Sequence, residues 1–529
     1  MNRAAFAAVA LAAAALSLPA TPATATPVAP RAVADFNRDG YGDLAIGAPG
    51  YGTGGAVVVM YGTASGLRTA GAQLWHRELR GVPGTASDSG GFGGSVASGD
   101  FDGDGYADLA VGAPGMGEGR GTLTVLYGGG SGLTTAGAEL WSIDTPGVPG
   151  ASTGWEQFGA ALAVGDFNRD RRDDLAIGAR GGSHDTASET YHSEGGVWVM
   201  YGANDGLRPG PILRNSPGGV HSFGAALAAG DFDGDGADDL AAGAPGHGVV
   251  TSGVMRPAAG RVFVYPGAAG TGISATRHAA FDQQSPGVNG GAEPGDQFGA
   301  ALAAGDFDGN GRDDLAVGVP TEDVNGVTDA GAVHVLRGSA SGLTGYGQFW
   351  HQDMSGVPGR VLDGTGSGSP DYFGAALATG DFTGDLRADL AIGTPSDPVP
   401  SRATTEATAG ATEADGTVTV LKGSGTGLTT SGAQYWHADV AGVPGVAEAG
   451  DGLGAALGTG DFDGNRRADL AVGVPREQVG ADRIQGAAVV LYARSGGLGT
   501  TGAQQWHQDV AGVPGAGGGF DYFGAALAG

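Results

Sequence analysis

Apolar positions along the chain fall in short runs separated by glycine- and proline-rich breaks. One run, DLAIGAPG from Asp43 and DLAVGAPG from Asp108, is continuously apolar and closes on Gly and Pro. Such a run between turn residues predicts a strand buried on both faces. A second type is rich in β-branched residues, as in GGAVVVMYG from Gly54, GTLTVLYG from Gly121 and GTVTVLKG from Gly416. A third ends in an aromatic residue, as in SGLTTAGAELW from Ser131, and is followed by a GVPG turn and then by FGAALA, as at Phe223. Each unit therefore predicts four strands and no helix.

A nine-residue acidic stretch sits between the FGAALA and DLAIGA runs: DFNRDGYGD at Asp35, DFDGDGYAD at Asp100, DFNRDRRDD at Asp166, DFDGDGADD at Asp231, DFDGNGRDD at Asp306, DFTGDLRAD at Asp381 and DFDGNRRAD at Asp461. The spacing of about 65 to 80 residues is too long for helical repeats and suits four short strands with loops. Seven such units predict an all-β fold, a seven-bladed β-propeller of four-stranded antiparallel blades. The abundance of turn residues, 108 Gly in 529, agrees.

Two features lie outside this rhythm. Residues 1–25 carry Arg3, the apolar run AAFAAVALAAAALSL and a small-residue triplet at Ala23-Thr24-Ala25, the pattern of a secretory signal peptide. Residues 26–32 then read as a linker and 33–529 as the propeller. The apolar run is short for a membrane span, and no other segment approaches the required length. The expectation is a secreted, monomeric protein.

Export without a single cysteine leaves stability to the core or to another staple. A formal charge of −29 argues against nucleic acid or anionic membranes as partners.

The acidic stretch supplies that staple. Oxygen-bearing side chains fall at positions 1, 3, 5 and 9, and the carbonyl of position 7 can add a fifth donor. Several oxygen ligands in a flexible turn suit calcium better than magnesium. The predicted ligand positions are Asp35, Asn37, Asp39, Tyr41 and Asp43; Asp100, Asp102, Asp104, Tyr106 and Asp108; Asp166, Asn168, Asp170, Arg172 and Asp174; Asp231, Asp233, Asp235, Ala237 and Asp239; Asp306, Asp308, Asn310, Arg312 and Asp314; Asp381, Thr383, Asp385, Arg387 and Asp389; Asp461, Asp463, Asn465, Arg467 and Asp469. Without a cation, three or four carboxylates in so small a turn repel one another and hold protons. The EF-hand is excluded, since position 12 is Ile46 or Val111 where that loop needs Glu.

The seven sites are not equal. Copies two and four have four Asp and a Gly at position 6, whereas Arg171, Leu386 and Arg466 stand at that turn position elsewhere. Thr383 further weakens the sixth copy, 381–389, which is expected to bind least well.

The FG and GAP words flanking an acidic loop resemble the FG-GAP repeat family, which includes the propellers of integrin α subunits and secreted bacterial integrin-like proteins. The resemblance covers residues 33–529. It implies calcium-binding hairpins between the first two strands of each blade, ligand recognition on the opposite face, and an adhesion-like role towards an extracellular protein or glycan. Family members such as glycosylphosphatidylinositol-specific phospholipase D carry their catalytic domain outside the propeller. A hydrolase using the variable loops is the alternative function. The chain has no RGD and no leg-like domain, so an integrin subunit itself is not expected.

Other candidate chemistry is thin. The pairs Trp75-His76, Trp350-His351, Trp436-His437 and Trp506-His507 recur at one repeat position and read as strand-end packing. SDSGG from Ser87 lacks triad partners, and the cluster His184, Asp185, Glu189, His192 and Glu194 has no diagnostic ligand spacing. Extra length collects between second and third strands, at 180–196, 246–260, 321–331, 396–416 and 476–486, which marks a variable face opposite the acidic hairpins.

The first acidic loop lacks a preceding FG strand, and an orphan FGAALAG stands at Phe523. The two ends are therefore expected to share one composite blade that closes the ring. The register is loose at Gly529, and residues 31–34 are expected to cover part of the same strand.

Overall fold

The computed structural model describes residues 34–529 except 86–89, 116–118, 151, 153, 182, 185–190, 193–194, 215–221, 360–370, 398–414, 449 and 481–483. The signal-peptide and linker expectations, most of SDSGG, and Asp185, Glu189 and Glu194 lie outside the described residues.

Seven four-stranded antiparallel sheets make the blades of a β-propeller, numbered here by their acidic loops. The inner strands are Ala526–Ala528 in blade 1, then Ser95–Gly99, Ala161–Gly165, Leu227–Gly230, Ala301–Gly305, Ala376–Gly380 and Ala456–Gly460. Each touches the inner strands of both neighbouring blades, and the circle is complete. These strands are built of Ala, Gly, Leu and other mostly small residues, which lets seven of them meet around one axis.

The second strands, such as Leu44–Ala48 and Asp108–Ala113, are buried at every position, because a further blade covers each face. Third strands such as Ala56–Tyr61 follow, and outer strands such as Arg68–Trp75 carry the mixed exposure of an edge. The hydrophobic cores lie between blades: Leu109 and Val111 of blade 2 pack with Val57 and Val59 of blade 1. The outer-strand tryptophans Trp75, Trp350, Trp436 and Trp506 are buried, in agreement with a packing role.

The FG and GAP words are the two halves of a blade-to-blade contact. A Cβ on Gly47 would come within 2.1 Å of the Gly93 carbonyl in the next blade. The same 2.1 Å approach joins Gly112 to Gly159, Gly243 to Gly299, Gly318 to Gly374 and Gly473 to Gly524. Only glycine lets two backbones come so close. The preceding aromatic residue is fully buried, as with Phe92, Phe158 and Phe298. It bridges in parallel to the glycine that opens the previous blade's third strand, as Gly55 to Phe92 and Gly260 to Phe298.

The composite blade forms as expected. Ala45 pairs with Ala528, Ile46 with Leu527 and Gly47 with Ala526. Ala34 completes the rung that Gly99, Gly165 or Gly460 supplies elsewhere, accepting the Asp43 N–H at 2.8 Å.

The long second-to-third connections emerge on the face opposite the acidic loops. In blade 4, Val249–Thr251 and Val254–Arg256 form a hairpin there. In blade 3, Ser183 pairs with His192 and His184 with Tyr191. Among the described residues no helix is long and apolar enough to cross a membrane.

Candidate metal centres

In blades 2–7 the acidic loop joins the inner and second strands, whereas in blade 1 it runs from Ala34 into the second strand and the inner strand is Ala526–Ala528; in all seven, backbone N–H groups pin the loop carboxylates. Position 1 accepts from the position 6 N–H in every copy, as Gly40 to Asp35 at 2.9 Å, Gly105 to Asp100 at 3.0 Å and Arg466 to Asp461 at 2.7 Å. Position 5 turns one oxygen to the N–H of position 7, as Tyr106 to Asp104 at 2.9 Å and Ala237 to Asp235 at 2.9 Å.

Position 9 opens the second strand and ties the loop to its sheet. Asp43 accepts from the Phe36 N–H at 2.9 Å and from the Gly62 N–H at 3.0 Å. The bond to the end of the third strand recurs in every blade, through Gly128, Gly202, Gly267, Gly338, Gly423 and Ala493.

Such turns need left-handed backbone at positions 4 and 6. Position 6 has φ of 89° at Gly40 and Gly105 and 88° at Gly236. Arg171, Leu386 and Arg466 adopt the same region at 74°, 67° and 67°, so the strain expected of these non-glycine residues is present. Position 4 is also left-handed, at Arg38 and Arg169 as well as at Gly103, a requirement the acidic spacing did not signal.

Four loops bring three carboxylates within 4.8 Å of one another: Asp100, Asp102 and Asp108; Asp231, Asp233 and Asp235; Asp306, Asp308 and Asp314; Asp461, Asp463 and Asp469. In the loops at Asp35, Asp166 and Asp381 position 3 is Asn37, Asn168 or Thr383, and no such trio forms among the described residues. Arginines reach into several loops. Arg337 pairs with Asp308, Arg494 Nη1 lies 2.6 Å from Asp463 Oδ2, and Arg387 Nη1 lies 3.3 Å from Asp385 Oδ2. A guanidinium there competes with a cation for the same oxygen.

Burial is the first cause of an upward pKa shift at every position 9. Asp43, Asp108, Asp174 and Asp469 are pushed up to about 8, Asp239 and Asp314 to about 7 and Asp389 to about 6. Backbone N–H donors oppose the shift and neighbouring loop carboxylates add to it. An all-oxygen donor set with crowded, partly desolvated carboxylates suits a hard cation, which would remove the repulsion. By this test the loops at Asp100 and Asp231 fit best.

The position 7 residues take a different part from their neighbours. Arg312 Nε donates to the Asp233 carbonyl of the previous loop at 3.1 Å, and Arg467 Nε to the Thr383 carbonyl at 3.3 Å. Tyr41 and Arg172 lie against Gly464 and Gly103 of the previous loops.

The FG-GAP repeat model matches residues 32–60, 92–126, 158–200, 223–265, 298–336, 373–421 and 453–491, one segment for each blade. The chain belongs to the FG-GAP repeat family. Its curated relatives include phosphatidylinositol-glycan-specific phospholipase D of Rattus norvegicus, 39% identical over 156 residues, 28% of this chain and 18% of the relative. Integrin alpha-PS5 of Drosophila melanogaster is 36% identical over 164 residues, 29% of this chain and 15% of the relative. Integrin alpha-5 of Xenopus laevis is 31% identical over 242 residues, 45% and 20% respectively. The matches thus span about a fifth or less of these relatives' lengths.

Two sets of residues in this FG-GAP chain escaped the sequence reading. The position 2 aromatics, among them Phe36, Phe101, Phe232 and Phe462, are fully buried and anchor the loops; their invariance within the DF pairs was the available signal. The position 8 residues link one loop to the next. Their N–H groups donate to the position 1 carbonyl of the preceding loop at all seven junctions: Ala107 to Asp35, Asp173 to Asp100, Asp238 to Asp166, Asp313 to Asp231, Ala388 to Asp306, Ala468 to Asp381 and Gly42 to Asp461, over 2.8–3.1 Å. The acidic loops form a closed hydrogen-bonded ring.

Proposed function

We propose that the chain is a secreted, calcium-stabilised propeller that binds an extracellular protein or surface glycan and catalyses no reaction. The calcium reading rests on one observation, the repetition of an all-oxygen loop at the same place in every blade, with carboxylates crowded in four of them. Bound calcium replaces the disulfides that the chain lacks. The relatives named integrin and the signal-like N-terminus favour an extracellular setting.

Recognition falls to the opposite face. Its connections expose Trp155, Val250, Val254, Met255, Phe520 and Tyr522, large apolar side chains that a propeller has no structural need to present to water. A rigid ring carrying variable loops suits binding.

The test is fluorescently labelled full-length protein on protein and glycan arrays in calcium, beside the variant Met255→Ser/Phe520→Ser. Binding that falls at least about ten-fold in the variant supports the reading. Binding insensitive to both substitutions contradicts the assigned face. Turnover of an ester or phosphodiester by the purified protein would defeat the non-catalytic reading and favour the hydrolase alternative suggested by the phospholipase relatives.

A further inference from the structure

At three of the seven loop junctions the position 8 residue is itself an aspartate, and it grips the preceding loop from both sides. Asp313 donates its N–H to the Asp231 carbonyl at 3.0 Å, while its Oδ2 accepts the Asp231 N–H at 3.1 Å. Asp173 does the same to Asp100, at 3.0 Å and 2.9 Å. Asp238 grips Asp166 at 3.1 Å and 2.7 Å. Gly42, Ala107, Ala388 and Ala468 have no side-chain acceptor and make only the backbone bond.

We propose that Asp173, Asp238 and Asp313 are positioning residues for cations held in the loops of the preceding blades, so that the affinity of one loop is set by its neighbour. This rests on the reading that the loops hold calcium.

The gripped residue is the first ligand. Asp231 accepts from Gly234 at 2.7 Å and Asp235 at 3.1 Å through Oδ1, and from Gly236 at 2.9 Å through Oδ2. Its carboxylate therefore organises the whole turn, and its own two peptide groups are held by Asp313. Groups that orient a ligand from behind typically change metal affinity by about 10- to 100-fold when removed. The two loops with Asp at all four side-chain ligand positions, those beginning at Asp100 and Asp231, are both gripped this way.

The prediction is non-local. Asp313 stands beside Asp314, a ligand position of its own loop, yet its removal is expected to weaken the loop at 231–239. The test is calcium occupancy at each loop, from anomalous scattering of crystals of the full chain at graded calcium. Asp313→Ala is expected to raise the calcium needed to half-fill loop 231–239 about ten-fold and to change loop 306–314 by less than about two-fold. Asp313→Asn, which keeps an acceptor oxygen, is expected to restore loop 231–239. A purely structural role would weaken every loop alike.

Uniform weakening, weakening confined to loop 306–314, or an unchanged loop 231–239 overturns the proposal. Asp173→Ala, read at loop 100–108, gives the same test should Asp313→Ala not fold. A wild-type protein that holds calcium in none of its loops contradicts the calcium reading itself, an outcome separate from any of these.

Discussion

Ile46 and Leu527, from opposite ends of the chain, are paired across one sheet, and this pairing closes the ring of blades. Phe523, a few residues earlier, is fully buried in the core shared by blades 7 and 1. Deleting residues 520–529 removes an inner strand and a buried phenylalanine. The expected loss is at least about 3 kcal/mol by denaturant unfolding. An unchanged midpoint would show that these residues do not close the fold.

The glycine pair between blades makes a second prediction. Gly243→Ala would place a methyl group 2.1 Å from the Gly299 carbonyl oxygen, a backbone atom that cannot step aside alone. Thermal unfolding is expected to show destabilisation of about 1–3 kcal/mol or more. Gly52, whose added Cβ would meet nothing within 4 Å, has φ +52° and serves as the control for backbone strain without a clash.

Leu386 tests the strain in the sixth loop. It is 75% exposed at φ 67°, so it has little packing to lose and an unfavourable backbone to relieve. Leu386→Gly is expected to stabilise the protein by up to about 1 kcal/mol. A loss of stability on this substitution would mean that the leucine makes contacts worth more than its strain.

The position 9 carboxylates give a pH dependence with a definite sign. Burial raises Asp43, Asp108 and Asp469 to about 8 and Asp389 to about 6, from the usual 3.8. In chelator the folded chain then binds more protons than the unfolded one, so these groups stabilise most at low pH. That contribution falls as pH rises above about 4 and is gone by about 6 for Asp389 and by about 8 for Asp43, Asp108 and Asp469. With saturating calcium the trend flattens between about pH 5.5 and 8, because the calcium-bound fold and the unfolded chain both leave these carboxylates unprotonated. Melting curves at about pH 5.5 and 8, each with calcium and with chelator, check the fall in chelator and its absence in calcium.

Much of this was legible along the chain. The continuous DLAIGA runs announced doubly covered strands, and the orphan FGAALAG at Phe523 announced the shared blade. What stayed hidden lies between blades. The 2.1 Å approach of Gly47 to Gly93 and the grip of Asp313 on Asp231 join residues from separate repeats. Local periodicity carries no trace of such contacts. The first aspartate in the RDD and ADD endings, Asp173, Asp238 or Asp313, faces the neighbouring loop, while the second opens the second strand of its own blade. Position 4 was similarly opaque, because Arg38 and Arg169 give no hint of the left-handed backbone that Gly103 suggests.

The most direct measurement is thermal unfolding of the full chain with saturating calcium and with excess chelator. At about 100 times the dissociation constant, each site that binds only the folded form adds about 2.7 kcal/mol. Several occupied loops therefore predict a midpoint far higher in calcium than in chelator, with Asp231→Asn removing part of the difference. Identical midpoints in calcium and chelator would contradict the calcium-stabilised propeller.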